Sequence, residues 1–214
     1  MLFSFMIYTI LMDKKVNNEM DRTLEEESTG ELFQGQTWSG KNFTSKVFSQ
    51  CVFQRCQITE CDFSDGRFSE CEFKNCNLSL AILKNCKLQE IAFTDCKIAG
   101  LDFSVCNTLL LDLKFIRCLI NGCNFSDLKL QNALFIESTV KESDFINADL
   151  TGTDFQSSSL ADSLFHNTNL SGANLVGASN YTINPLTNKL KKAKFSMPEA
   201  IRLLEVMEID IEWK

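Results

Sequence analysis

The sequence predicts an all-β chain wound as a four-sided parallel solenoid. Three observations lead there. Large apolar residues recur every five positions, the residue two places before each is small or apolar, and Phe alternates with aliphatic residues along the series. A period of five matches neither a helix nor a straight strand. In an extended segment, residues two apart face the same side, so Cys51 and Phe53 point inward together. The next small residue, Cys56, lies three further on and would face outward if the chain stayed straight. The chain must therefore turn once per repeat.

The number of sides follows from the alternation. Phe115, Phe125, Phe135, Phe145, Phe155 and Phe165 interleave with Ile120, Leu130, Val140, Leu150, Leu160 and Leu170. Ladders of parallel strands favour like stacked on like. A three-sided coil would stack Phe on aliphatic, whereas a four-sided coil of about twenty residues stacks Phe on Phe and keeps the two kinds on alternate sides. The first half follows this more loosely, with Phe48 and Phe68 in aliphatic slots and Leu83 in a Phe slot.

Taken in order, residues 1–35 read as a leader or N-terminal cap, with an apolar run from Met1 to Met12 and a charged stretch around Glu25, Glu26 and Glu27. The apolar run lacks a basic start and a cleavage site, and it is too short to span a bilayer as a helix. No membrane partner is expected. Residues 36–180 form the solenoid, about seven coils from Trp38 to Leu175. Twelve residues, not ten, separate Phe103 from Phe115; the phase survives if two residues near Leu109 to Asp112 loop out at a corner. Residues 181–214 form a C-terminal cap. Ser196 to Glu199 reads as a capping box with Pro198 in the first turn, opening a helix from Ala200 to Met207. Glu208 to Lys214 alternates like a short strand. The apolar surplus of Ile201, Leu204, Met207, Ile209, Ile211 and Trp213 predicts a homodimer joined through the C-terminal ends.

All ten cysteines occupy the small inward slot or its phase-shifted equivalent. Free Cys there acts as a small hydrophobe. Neighbouring cysteines fall on different sides, which disfavours disulfides, and a thiol-rich core suits a reducing cytoplasm. Zinc is disfavoured because there is no CxxC pair, and the single histidine, His166, takes an outward position. Inward thiols with no base nearby offer no catalytic centre, so neither an enzyme nor a cofactor is expected.

Net charge is −7, which argues against a direct nucleic-acid binder. Between residues 142 and 188 the charged residues are Glu142, Asp144, Asp149, Asp154 and Asp162, and basic residues return only at Lys189, Lys191, Lys192 and Lys194. With the two-residue insertion allowed for, Asp62, Asp102 and Asp144 share one side, with Asn124 between the last two, while Glu72 and Asp154 share the opposite side. Asp and Asn also serve turns at this position, which is the plainer reading. The sharper reading is a rod carrying negative charge in place of DNA, with Asp62, Asp102, Glu142, Asp144, Asp149, Asp154 and Asp162 as the candidate surface.

The Cys-Asp-Phe at 61–63, Ala-Asp-Leu at 148–150 and Ala-Asn-Leu at 173–175 resemble the A(D/N)LXX consensus of the pentapeptide-repeat family. That resemblance covers roughly residues 36–180 and implies a right-handed quadrilateral parallel β-helix. Chain length, the cysteine-rich first half and the FSMPEAIRLLEVMEIDIEW tail at 195–213 further resemble the Qnr group, chromosomal type. This implies a relation to MfpA-type DNA mimics that bind DNA gyrase and topoisomerase IV and protect them from quinolones. The chain lacks the long solenoid loops of some Qnr proteins, which leaves the acidic sides as the candidate contact. The alternative is a scaffold or adaptor for another protein, since the repeat serves many roles.

Overall fold

The structure, a computed structural model, describes residues 16–17, 26–207 and 209. The chain is a right-handed parallel β-solenoid of about eight four-sided coils with a short C-terminal 3-10 helix. On the first side, strands Leu32–Gln34, Val52–Gln54, Glu72–Lys74, Ile91–Thr94, Leu113–Ile116 and Leu134–Ile136 stack in parallel. The second side carries Lys97–Ala99, Leu119–Asn121 and Thr139–Lys141, and the fourth carries Glu27–Thr29, Val47–Ser49, Arg67–Ser69 and Lys87–Gln89. The third side is held by single bridges such as Asn42↔Asp62, Asp62↔Ile82 and Asp102↔Asn124.

The expected alternation of sides is present. Phe103, Phe125, Phe145 and Phe165 stack on the third side with ring centroids 4.7–5.0 Å apart. Phe53, Phe73, Phe93, Phe115, Phe135 and Phe155 do the same on the first side at 4.5–5.1 Å. The two columns meet edge to face across the interior, as Phe115 and Phe125 do at 5.9 Å, a favoured geometry for ring quadrupoles. Ile58, Ile98, Ile120, Val140 and Leu160 fill the second side, all essentially buried. Leu83 interrupts the third column, and a cavity of about 20 Å³ remains there, lined by Phe63, Leu83, Phe103 and their neighbours.

The small inward slot has a polar duty that hydrophobicity alone does not reveal. Cys76 Sγ donates to Phe53 O at 3.3 Å and accepts the Cys56 backbone N–H at 3.4 Å. Serine takes the same role further along: Ser158 Oγ donates to Phe135 O at 2.6 Å and accepts the Ser138 N–H at 2.8 Å. A buried backbone group left unpaired is costly, so Cys, Ser and Thr suit this corner. All ten thiols are buried and unbridged.

Most sides end in a residue with positive φ. At Phe63–Gly66, the Gly66 N–H bonds Phe63 O at 3.0 Å with Asp65 at φ 58°, the pattern of a type II turn. The two extra residues sit where expected, at the corner after Leu110. Beyond it the register shifts from twenty to twenty-two, as in Ile91↔Leu113 and Ile98↔Ile120, and both Phe columns stay in phase. Leu109 and Leu110 are exposed, while Leu111 packs against the core.

Both ends depart from expectation. The ladder starts before residue 36. Glu27–Thr29 pairs with Val47–Ser49, and Phe33, five residues ahead of Trp38, is a buried member of the first column stacked 5.1 Å from Phe53. Ser28 fills an inward slot that the charged sequence around it disguises. Most of the leader, Met1 to Met12 included, lies outside the described residues. At the other end the ladder continues past residue 180 to Lys194–Phe195, which pairs with Asn174–Leu175. A helix follows as expected, at Glu199–Met207, but of the 3-10 kind.

The capping box does not form as such. Ser196 Oγ accepts the Gly177 N–H at 2.9 Å, and Glu199 Oε1 accepts the Asn180 N–H at 2.9 Å. In most lower coils the positive-φ N–H finds a carbonyl in the coil above, as Ser157 N–H finds Val176 O. Ser196 and Glu199 supply acceptors where the following coil has irregular backbone. Tyr181, fully buried, sits 5.7 Å from Phe195 under this cap. Ile201 is half-buried, and Leu204 and Ile209 are exposed. The side chain of Met207 and all of Ile211 and Trp213 lie outside the described residues.

Candidate functional site

The residue just before each core centre points outward, and one such residue per coil forms a column on each side. On the third side the column reads Asn42, Asp62, Ile82, then Asp102, Asn124, Asp144, Leu164. The adjoining corner column contains Glu60, Leu80, Gly100, Gly122, Glu142 and, next in the repeat, Asp162; their inter-coil N–H bonds of 2.8–3.0 Å hold Glu60 through Glu142 in line. The far corner adds Asp65 and Asp127, each accepting an Asn side chain from the coil above, Asn85 at 2.7 Å and Asn147 at 3.0 Å. The third side and its corners thus gather Glu60, Asp62, Asp65, Asp102, Asp127, Glu142, Asp144 and Asp162 on one face of the rod. Lys84 is exposed among these carboxylates, and Lys141, at the neighbouring edge, is paired with Glu142 at 2.9 Å.

Five of the expected acidic residues, Asp62, Asp102, Glu142, Asp144 and Asp162, come together on this face. Asp149 and Asp154 do not. Asp149 belongs to the fourth side, in a column with Lys129, Asn169 and Lys189. Partial burial opposes its charge, but bonds from the Thr151 hydroxyl and N–H, Gln131 and Asn169 outweigh that and hold the carboxyl below the usual range. Asp154 lies on the first side, accepting Gln156 N–H at 2.9 Å and Asn174 Nδ2 at 3.0 Å. Both act as local braces. Glu72 and Asp154 do share the side opposite Asp62, as their register implies.

The same brace exists on the acidic face, and its chemistry separates charge from fold. Asp62 Oδ1 accepts the Ser64 N–H at 2.9 Å and Asp102 Oδ1 the Ser104 N–H at 3.0 Å. Asn77 and Asn124 make the identical bond to Ser79 and Ser126 at 3.1 and 3.0 Å. An amide oxygen therefore serves the turn as well as a carboxylate. Asp at 62 and 102 adds charge that the turn does not require. The carboxylates of Asp144 and Asp162 accept no hydrogen bond among the described residues.

The fourth side has the opposite sign: Arg67 stacks directly under Lys87, with Lys129 and Lys189 further along. At the corner after the first side, Arg117 grips Asp95 with two bonds, 2.8 Å from Nε and 3.0 Å from the second nitrogen. That pair bridges the longer coil. Among the described residues no cluster could hold a metal ion, and no helix is long and apolar enough to cross a membrane. His166 is exposed.

Models of the pentapeptide repeat region match residues 46–125 and 66–145, and a further pentapeptide-repeat model of eight copies matches residues 143–179. The search of curated proteins finds no match. Among solved structures, a trypsin-treated form of QnrB1, described as a plasmid-mediated fluoroquinolone resistance protein, superposes with a TM-score of 0.79 at 20% identity, covering 88% of this chain and 94% of that one. A second trypsin-treated form gives a TM-score of 0.66 at 19% identity, covering 92% and 95%. These similarities concern the fold. With its square coil, its in-phase Phe columns and the repeat models matched along the solenoid, the chain belongs to the pentapeptide-repeat family.

Proposed function

We propose that this protein binds a type II DNA topoisomerase, DNA gyrase or topoisomerase IV, in the place of DNA and thereby lowers quinolone action. The observation that carries the reading is the third side, where Asp62, Asp102 and Asp144 recur in one column with Glu142 and Asp162 beside it. The coils stack at about 4.8 Å, so these charges ride on a stiff rod about 38 Å long over eight coils. A basic groove built for phosphates attracts such a surface, and association would weaken with salt. The likeness in fold to a fluoroquinolone resistance protein supports the choice of target, as does the resemblance of the tail at 195–213 to the Qnr group. In this reading the chain is a cytoplasmic, non-catalytic homodimer, two rods meeting at their C-terminal ends.

The test is gyrase supercoiling with ciprofloxacin, with and without the purified protein. Restored supercoiling, together with competition against DNA at low salt, supports the reading. Unchanged drug inhibition and no competition would remove it.

A further inference from the structure

The acidic face is interrupted by the exposed Leu164 at one end of its column and, in the first half of the rod, by a pair of exposed aliphatic side chains that the backbone there is shaped to hold. Leu80 is 56% exposed and Ile82 51% exposed. They flank the inward Ala81 on a single corner. Ile82 sits between Asp62, bridged directly below it, and Asp102 in the next coil.

Leu80 has no local reason to be leucine. Its φ is +61°, in the left-handed region that L side chains other than Asn and Asp seldom enter. Its column neighbours are acids or glycines, which suit that region or carry the face's charge: Glu60 below, Gly100 and Gly122 above. Gly100 is fitted to the leucine. A Cβ at Gly100 would fall 2.8 Å from Leu80 Cδ2, so the leucine leans into the notch left by the missing side chain. The next glycine, Gly122, would meet nothing within 4 Å, so the notch stays open beyond it. The result is a fixed apolar knob with a shallow groove above it, ringed by Glu60, Asp62 and Asp102.

We infer that Leu80 and Ile82 are an apolar anchor that seats in a pocket within the partner's basic DNA-binding groove. The inference rests on the topoisomerase reading and adds a separate component to it. Carboxylates alone offer a salt-sensitive attraction of modest net strength, because each charge gives up water on docking. Strong contacts at interfaces cluster in desolvated centres surrounded by polar groups, and the knob with its ring of carboxylates has that layout. The charge around the knob selects a basic surface. The knob itself distinguishes a protein surface from a simple polycation.

The experiment measures binding of the full chain to purified gyrase across a series of salt concentrations. Leu80→Gly and Ile82→Thr are compared with Asp62→Asn and Asp102→Asn. Leu80→Gly relieves the left-handed strain, so it should fold at least as well as the parent, and thermal melting verifies this. The anchor predicts that Leu80→Gly and Ile82→Thr together weaken binding about tenfold or more with an unchanged salt slope. Asp62→Asn and Asp102→Asn should instead flatten the slope. Equal affinity of the parent and the leucine–isoleucine double variant would overturn the anchor while leaving the topoisomerase reading intact. No binding by the parent chain would remove both.

Discussion

Glu199 Oε1 accepts the backbone N–H of Asn180 at 2.9 Å while also holding Arg202 Nε at 2.6 Å. A side chain from the terminal helix thus continues the inter-coil hydrogen bonding that backbone carbonyls provide elsewhere. In a solenoid each coil depends on its neighbours, so this cap should matter locally. Ser196→Ala combined with Glu199→Ala is expected to cost about 2–4 kcal/mol, from two lost acceptors of which one is charged. Hydrogen exchange checks it: Gly177 and Asn180 amides should lose protection first, with the coils below Phe135 little changed.

Leu83 breaks the Phe63-to-Phe103 column and leaves the cavity of about 20 Å³. Leu83→Phe should fill it and complete the stack, raising stability by about 0.5–1.5 kcal/mol. Urea unfolding provides the measurement. A loss instead would mean that the corner above Ala81 is too tight for a ring.

The core thiols should be inert while the chain is folded. Burial pushes Cys61 and Cys123 up to about 11 and Cys86 up to about 12, the last aided by the nearby charge of Asp65. Bonds from neighbouring thiols favour the thiolate at Cys76 and Cys118, but burial shields all ten sulfurs from reagent, so thiol titration at pH 8 should find almost no reaction natively and all ten cysteines after denaturation. Because Ser158 performs the bonding that Cys76 performs, Cys76→Ser should cost less than about 1.5 kcal/mol, whereas Cys76→Leu should cost about 1–3 kcal/mol by overpacking.

The Asp95–Arg117 pair makes stability depend on pH, with a definite sign. The hydrogen bonds from Arg117 hold the Asp95 carboxyl below its ordinary value of 3.8. A lowered folded pKa stabilises above the unfolded value, and the gain is lost as pH falls through the folded one. Both groups are exposed, so Asp95→Asn should cost under about 1 kcal/mol at neutral pH. The difference between variant and parent should vanish in acid below the folded pKa. Chemical unfolding at pH 7 and at pH 2 makes the comparison.

Much of this was legible from periodicity. A repeat of five with an alternation of ten fixes four sides, because only a twenty-residue coil sets Phe135 over Phe115 and under Phe155. The insertion was legible for the same reason, since Phe columns resume in phase after it. The N-terminal limit is hidden in the sequence because Ser28 is a small polar residue in a core slot and the charged run around it masks Phe33. Ser196 and Glu199 read as a capping box, but the box does not form, because their partners are amides of the last regular coil, which lie far away in sequence. The acidic face is legible half from register and half from sequence proximity. Register placed Asp62, Asp102 and Asp144 correctly, whereas proximity added Asp149 and Asp154, and in a solenoid neighbours in sequence turn to different sides. Nothing in the letters alone marks Leu80 as unusual; its fit to Gly100 appears only in the folded chain.

The central claim is that carboxylate charge on the third side does what DNA phosphate does for a topoisomerase. Asp62→Asn, Asp102→Asn and Asp144→Asn in one chain remove that charge without disturbing the turn, because Asn124 already makes the same bond to Ser126 N–H at 3.0 Å. The decisive measurement is gyrase supercoiling in ciprofloxacin with the parent or this triple variant, after melting curves show both folded. The account predicts protection by the parent and at least a tenfold higher concentration of the variant for the same effect, from about 1.4 kcal/mol or more of lost attraction. Equal protection by the two proteins would contradict it.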